Sequence, residues 1–141
     1  MINQDLARDS FLKVLGQLVI EHHDELAKIL LRIWTLTDKK GFYSEKKNSN
    51  KLYEILKKNK LVNDEADFKQ KINILVIHSN QALKIRIKKH FLRRSIVVYI
   101  LKSNINWTNK KQKKLIAGKM SKESTGHILN DINFKLQGIN L

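Results

Sequence analysis

The chain has no cysteine and no proline, and only five of its 141 residues are glycine. Without cysteine there is no disulfide framework and no thiolate zinc site. Without proline, no helix interior holds a residue that lacks the N–H and clashes with the preceding turn, so long helices are permitted. Gly16, Gly41, Gly118, Gly126 and Gly138 stand singly. No glycine-rich loop is available to cradle a phosphate, and nucleotide hydrolysis has no support. No apolar stretch approaches the ~20 residues of a membrane-spanning helix; the longest, Ser95 to Leu101, is far shorter. Met1 to Asp5 carries no basic region ahead of an apolar core, the mark of a secretory signal. The expectation is a cytoplasmic protein with no membrane partner. No repeat of 20 to 50 residues is found.

The most informative absence is of acid. From Phe68 to Lys122 there are 55 residues and no Asp or Glu. Of the chain's 28 Lys and Arg, 15 lie in this run, so the 13 outside it balance the 13 acids and the whole formal +15 belongs to one segment. Lysine is an ordinary solubilising surface residue, but a bias toward lysine does not remove acids. Charge of one sign at this density repels itself and destabilises a compact state. A polyanion relieves it, and a phosphate backbone adds the release of its counterions. Nucleic acid is therefore the expected partner, duplex DNA first and RNA second. Lys84, Arg86, Lys88, Lys89, Arg93 and Arg94 form one candidate set of contacts.

The apolar spacing predicts a mainly α fold. Asp9 or Ser10 caps a long helix running to about Leu36. Phe11, Leu15, Leu18, Val19, His22, Leu26, Ile29, Leu30 and Ile33 recur at three and four as a single stripe. Such a stripe buries a core face or pairs with a second copy, giving a homodimer through residues 10–36. Asp38 to Asn50 breaks the pattern and reads as a loop. A short helix, Lys51 to Leu61, follows. Residues 1–62 thus read as a helical core and dimerisation region, and 63–141 as the basic binding region, the two forming one compact unit.

Asn63 caps the next helix, with Asp64, Glu65 and Asp67 at the positive end of its dipole. Beyond it two readings stand. Phe68, Ile72, Leu75, Val76, Leu83, Ile87 and Phe91 make a helical stripe, while Leu83 to Lys88 alternates like a strand. The second reading makes the chain α+β, with a three-stranded antiparallel sheet over about 72–101 and a turn near Ser79 and Asn80. The good cap and the lack of proline favour helix.

After a linker at Ser103 to Asn106, Thr108 or Asn109 caps a helix from Lys110 to Gly118. Ser121 caps a last helix from Lys122 to Leu136, and Gly138 ends it. In the first of these, Lys110, Lys111, Lys113 and Lys114 share roughly half the circumference, with Leu115 and Ile116 turned away. Cations in the first turns of a helix oppose its dipole, and a phosphate there satisfies both the lysines and the free N–H groups. In the second, Lys122, Gly126, Asn130 and Asn133 lie opposite the apolar face. Small and amide groups approach base edges, and Asn pairs with adenine through two hydrogen bonds. A tight turn containing Lys119 joins the helices, as in a helix-turn-helix.

Trp107 and Thr108, Leu115 to Glu123 and the pair Ile128 and Leu129 resemble the opening of LuxR-type helix-turn-helix regulators. That opening has an apolar-Thr start, an apolar-Ala pair and a Met/Leu-Ser turn, matched here by Met120 and Ser121. The resemblance implies DNA binding and control of transcription. It covers about a quarter of the chain, and in that register the recognition helix is cut short at Leu141.

Catalysis has little to build on, and the reading is a binding protein rather than an enzyme. Glu21 to Glu25 gathers possible metal ligands, but His22 and His23, adjacent on a helix, point about 100° apart. A metal-dependent nuclease needs carboxylates beside the phosphate, and the basic run has none. A metal-free ribonuclease using His78, His90 and Tyr99 is one alternative. An RNA- or ribosome-binding protein, with Phe91, Tyr99 and Trp107 stacking on bases, is another. A basic adaptor or inhibitor covering an acidic protein surface is the third. No cofactor and no metal is implied.

Overall fold

The stripe over residues 10–36 is not one rod. The structure, a computed structural model, describes residues 10–21, 23–38, 40–78, 82–89, 95–101, 110–119 and 128. It divides the stripe into α1 (Ser10–Ile20) and α2 (Asp24–Leu36). The Glu21 and His23 N–H groups close α1 on the carbonyls of Gln17 and Leu18, at 3.0 and 2.8 Å. Asp24 and Glu25 then open α2 at the end where a carboxylate suits the dipole. The two helices pack on each other. Of the stripe that pointed to a homodimer, Leu15, Leu18, Ile29, Leu30 and Ile33 are buried within the chain, Val19 and Leu26 are half-buried, and Ile20, off the stripe, is 72% exposed. Helix α2 also buries Ala27, Ile29, Leu31 and Trp34. A helix apolar on most of its circumference belongs at the centre of a core, and α2 packs on helices both before and after it in the chain.

The segment read as a loop, 38–50, contains a strand, β1 (Phe42–Lys46). Asp38 Oδ1 accepts from the N–H groups of Lys40 (2.8 Å) and Phe42 (3.0 Å), which folds the chain into a tight turn before the strand. Helix α3 (Lys51–Lys58) follows. Its N-cap residue, Asn50, makes no side-chain cap. Instead Glu45 Oε2, reaching over from β1, accepts from the Leu52 N–H at 2.9 Å and from the Tyr43 hydroxyl at 3.0 Å. Arg32 ties α2 to the end of α3 through Asn59 Oδ1, at 3.1 Å.

Helix α4 (Glu65–His78) starts where the acidic residues placed it. The cap is Asp64 rather than Asn63: the Asp67 N–H donates to Asp64 Oδ1 at 2.7 Å, and Asp67 Oδ2 accepts from the Asn63 N–H at 2.9 Å. This reciprocal pair satisfies two orphan donors, as in a capping box.

Two more strands overturn the mainly α expectation. β2 (Leu83–Lys89) and β3 (Ser95–Leu101) pair antiparallel, and β1 pairs antiparallel with the other edge of β3, giving the order β1–β3–β2. The fold is α+β. The expected three-stranded sheet exists, but its third strand comes from 42–46, and residues 72–77 belong to α4. The helical stripe through Leu83 and Ile87 misled because a spacing of four fits both periods. The intervening Lys84, Arg86 and Lys88 fit only a strand. The turn placed near Ser79 and Asn80 lies outside the described residues.

The C-terminal helix-turn-helix pair is not found as expected. Helix α5 (Lys110–Lys119) is present and packs on α2. Ile116 is buried against the core, whereas Leu115, expected beside it, is 58% exposed. Of the helix placed at Lys122 to Leu136, only Ile128 is described, and it is buried in the same core. The two halves of the chain share that core, and they share one sheet, since β1 pairs with β3 across the boundary expected at residue 62.

Candidate nucleic-acid interface

Alternation gives the sheet two unlike faces. Leu83, Ile85, Val97, Tyr99, Leu101 and Tyr43 point toward the helices and join the core. The opposite face is laid out in three ranks by the strand register: Lys84–Ile100–Phe42, Arg86–Val98–Ser44 and Lys88–Ile96–Lys46. Val98 is 8% exposed yet stands apart from the helix-side cluster, as the middle residue of the middle strand should. Arg86, Lys88 and Lys46 are exposed and Lys84 is half-buried. Strands lie about 4.8 Å apart, so Lys46 stands roughly 10 Å from Lys88 across the β3 ridge. Glu45, the one acid of the three strands, turns to the helix side, where it caps α3.

The structure thus brings together part of what sequence reasoning selected. Lys84, Arg86 and Lys88 converge, joined by Lys46, Ser44 and Phe42, which were missed because 38–50 read as a loop. Lys89 ends β2 opposite Ser95. Arg93 and Arg94 lie outside the described residues, as do Lys122, Gly126, Asn130 and Asn133. Lys110, Lys111, Lys113, Lys114 and Lys119 are all carried by α5, with Lys114 exposed and Lys119 half-buried. They sit on a different element from the sheet cations.

A second surface was not anticipated. Helices α3 and α4 are joined by a six-residue turn and held by Tyr53 and Phe68, whose rings meet edge to face at 5.7 Å. Inward, α4 buries Ile72 and Leu75. Outward it exposes Ala66, Lys69, Gln70, Asn73 and Ile77, the last 65% exposed. This face mixes a cation, two amides and two apolar groups, with the exposed Glu65 at its start. The signal was present in the sequence, but α4 had been read as part of a longer helix and given no contact role.

Of the three groups proposed for catalysis, His78 is the last residue of α4. Tyr99 is 5% exposed on the helix side of the sheet, 6.0 Å from the Tyr43 ring. Burial, and then the charge of Glu45, push its phenol up to about 12. It faces away from the basic surface. His90 and His22 lie outside the described residues. Among the described residues no group of three or more His, Cys, Asp or Glu is placed to hold a metal, and no helix is long and apolar enough to cross a membrane.

No family model, curated protein or solved structure matches this chain. The residues at the ends of the LuxR-type resemblance, Trp107, Thr108 and Met120 to Glu123, lie outside the described residues. Function therefore rests on the geometry of this chain.

Proposed function

We propose that this protein binds duplex DNA and regulates transcription, reading the duplex with α4 and bracing it with the β2–β3 hairpin, in the cytoplasm. The observation that carries this reading is the order of elements: α2, β1, α3, α4, then a hairpin whose last strand pairs back to β1. That is the winged form of a helix-turn-helix, in a different place from the pair expected at the C-terminus. A recognition helix enters the major groove while the helix before it crosses the backbone. Helix α4 offers what a groove edge requires: Asn73 and Gln70 for adenine, Lys69 for guanine or phosphate, and Ala66 and Ile77 for thymine methyl groups. Lys51, Lys57, Lys58 and Lys60, all exposed on or beside α3, supply backbone contacts. Lys84, Arg86 and Lys88 on β2 supply more.

A second reading is carried by the outer sheet face. Phe42, 41% exposed at one corner, and the cations around it suit a single strand or RNA, whose bases stack on aromatic rings while phosphates meet lysines.

One experiment separates the two. The full chain is offered a random duplex library, single strands and structured RNA at 50 and 200 mM salt. The DNA reading expects an enriched duplex site and an affinity that falls steeply with salt. Enrichment of single strands or RNA over duplex moves the function to the sheet. Binding to none of them, at either salt, removes both.

A further inference from the structure

An open groove of about 1080 Å³ runs between α1, the start of α2 and one side of α4. Its apolar lining comes from three elements: Val14 and Leu18 on α1, Leu26 on α2 and Ile74 on α4. Its charged lining runs against the rest of the molecule. Glu21, Asp24, Glu25 and Asp67 face Lys13 and Lys71, so four of the 13 acids of a chain with a formal charge of +15 border one groove. The charges are not equally committed. Lys71 is held by Glu25 and Asp67, each at 3.1 Å, and Asp24 lies 3.5 Å from Lys28. Glu21 accepts a neutral amide hydrogen bond from Gln17, at 2.8 Å. Glu25 lines the groove and keeps 67% of its side chain exposed.

We propose that this groove binds an organic cation: a single ammonium, guanidinium or phosphonium charge on an apolar body of drug-like size. Pockets for such ligands occupy about 300–1,000 Å³; this groove is of that order, with Val14, Leu18, Leu26 and Ile74 as apolar side chains among polar and charged ones. The sign of the charge follows from the rim. An anion entering here meets four carboxylates against two ammonium groups, Lys13 and Lys71, the second of them already taken by Glu25 and Asp67. A cation meets Glu21 and the exposed Glu25, while the rest of the protein repels it and so does not compete. The proposal rests on the groove alone and not on the nucleic-acid reading, and its test uses no nucleic acid.

The test is calorimetric titration of the full chain with tetraphenylphosphonium and, as a neutral analogue carrying three of the same rings, triphenylphosphine oxide. The expected result is one saturable site for the phosphonium, with the oxide bound about tenfold more weakly or worse. Replacing both rim acids, Glu21→Gln with Glu25→Gln, weakens phosphonium binding by about tenfold or more. Gln17→Lys, an exposed change on the same rim that leaves every acid in place, also weakens it. Glu54→Gln, on α3 and outside the groove, leaves it unchanged. Circular dichroism of each variant confirms the fold. No saturable site, equal affinity for the oxide, or full affinity in both rim variants overturns the assignment.

Discussion

Lys71 Nζ lies 3.1 Å from Glu25 Oε2, a link between residues 46 apart that ties α4 to the first turn of α2. The same ammonium reaches Asp67 Oδ2 at 3.1 Å and the Leu61 carbonyl at 3.0 Å. It therefore joins three parts of the chain: the helix it stands on, the turn that precedes that helix, and the central helix of the core. Helix α4 is seated by this side chain together with the apolar Phe68, Ile72, Leu75 and Val76.

The pH dependence of stability follows from that cluster. The Asn63 N–H holds Asp67 below the usual carboxylate range; burial opposes this, and Lys71 adds to it. Burial lowers the Lys71 ammonium, but hydrogen bonds to Glu25 and Asp67 more than offset it, so its pKa is raised. A depressed carboxylate stabilises the fold above its unfolded value, about 3.9, and loses that contribution as pH falls. A raised ammonium stabilises below its unfolded value, about 10.4, and loses its contribution as pH rises. Thermal unfolding should show a plateau between those limits. Asp67→Asn should flatten the acid side, and Lys71→Met should lower the plateau by about 1 kcal/mol, the upper range for a partly exposed ion pair. An unchanged acid limb in Asp67→Asn would remove Asp67 from this account.

Gly41 is required where β1 meets β3. Its φ is +82°, and a Cβ there would run into the Leu101 carbonyl. The Leu101 N–H donates to the Gly41 carbonyl at 2.8 Å, extending the ladder by one residue. Left-handed backbone costs a residue with a Cβ about 1–2 kcal/mol before any clash. Gly41→Ala should therefore lose at least about 2 kcal/mol in urea unfolding, with β1 detaching first in hydrogen exchange.

Lys60 is the opposite case, a left-handed position occupied by the wrong residue. Its φ is +61°. The Leu61 N–H bonds to the Leu56 carbonyl at 2.9 Å and the Lys60 N–H to the Lys57 carbonyl at 3.0 Å. Together these are a Schellman ending to α3, with Leu56 and Leu61 both buried as its hydrophobic contact. Glycine is the residue this position favours. Lys60→Gly should raise stability by about 0.5–1 kcal/mol, and Lys60→Ala, which keeps the strain, should not. A melting series of the three proteins decides it.

How much of this was legible in advance differs by element, and the reason is whether its cause is local. The start of α4 was legible because Asp64, Glu65 and Asp67 announce a helix dipole within one turn. β2 was half-legible: Lys84, Arg86 and Lys88 alternate, but Leu83 and Ile87 also fit a helix, and the cap expected at Asn63 made helix the better local choice. β1 was not legible. Phe42 to Lys46 has no apolar alternation to read, and it is held by the Gly41–Leu101 ladder and by Glu45, whose cap on α3 lies seven residues away. The break at 21–23 was hidden for a similar reason, since no glycine or proline marks it. The binding surface inherits these errors: the β2 cations were found, while Lys46 and the outward face of α4 were missed with the elements that carry them.

The two kinds of contact proposed for DNA predict two different losses. Asn73 sits at the centre of the outward face of α4, where an amide reads a base edge. Asn73→Ala should cost about 1–3 kcal/mol on the enriched site, leave binding to unrelated duplexes unchanged, and keep the salt dependence. Arg86, exposed in the middle of β2, is proposed to meet phosphate. Arg86→Ala should weaken all duplexes alike and lower the slope of log K against log salt by about one. Neither variant disturbs a buried contact, so folding should be retained. If Asn73→Ala binds every duplex as the parent does, α4 is not the reading element. If Phe42→Ala instead weakens single strands by about 1–3 kcal/mol while duplex binding holds, the sheet face is the site, because among the described residues it is there that an exposed aromatic ring stands among cations.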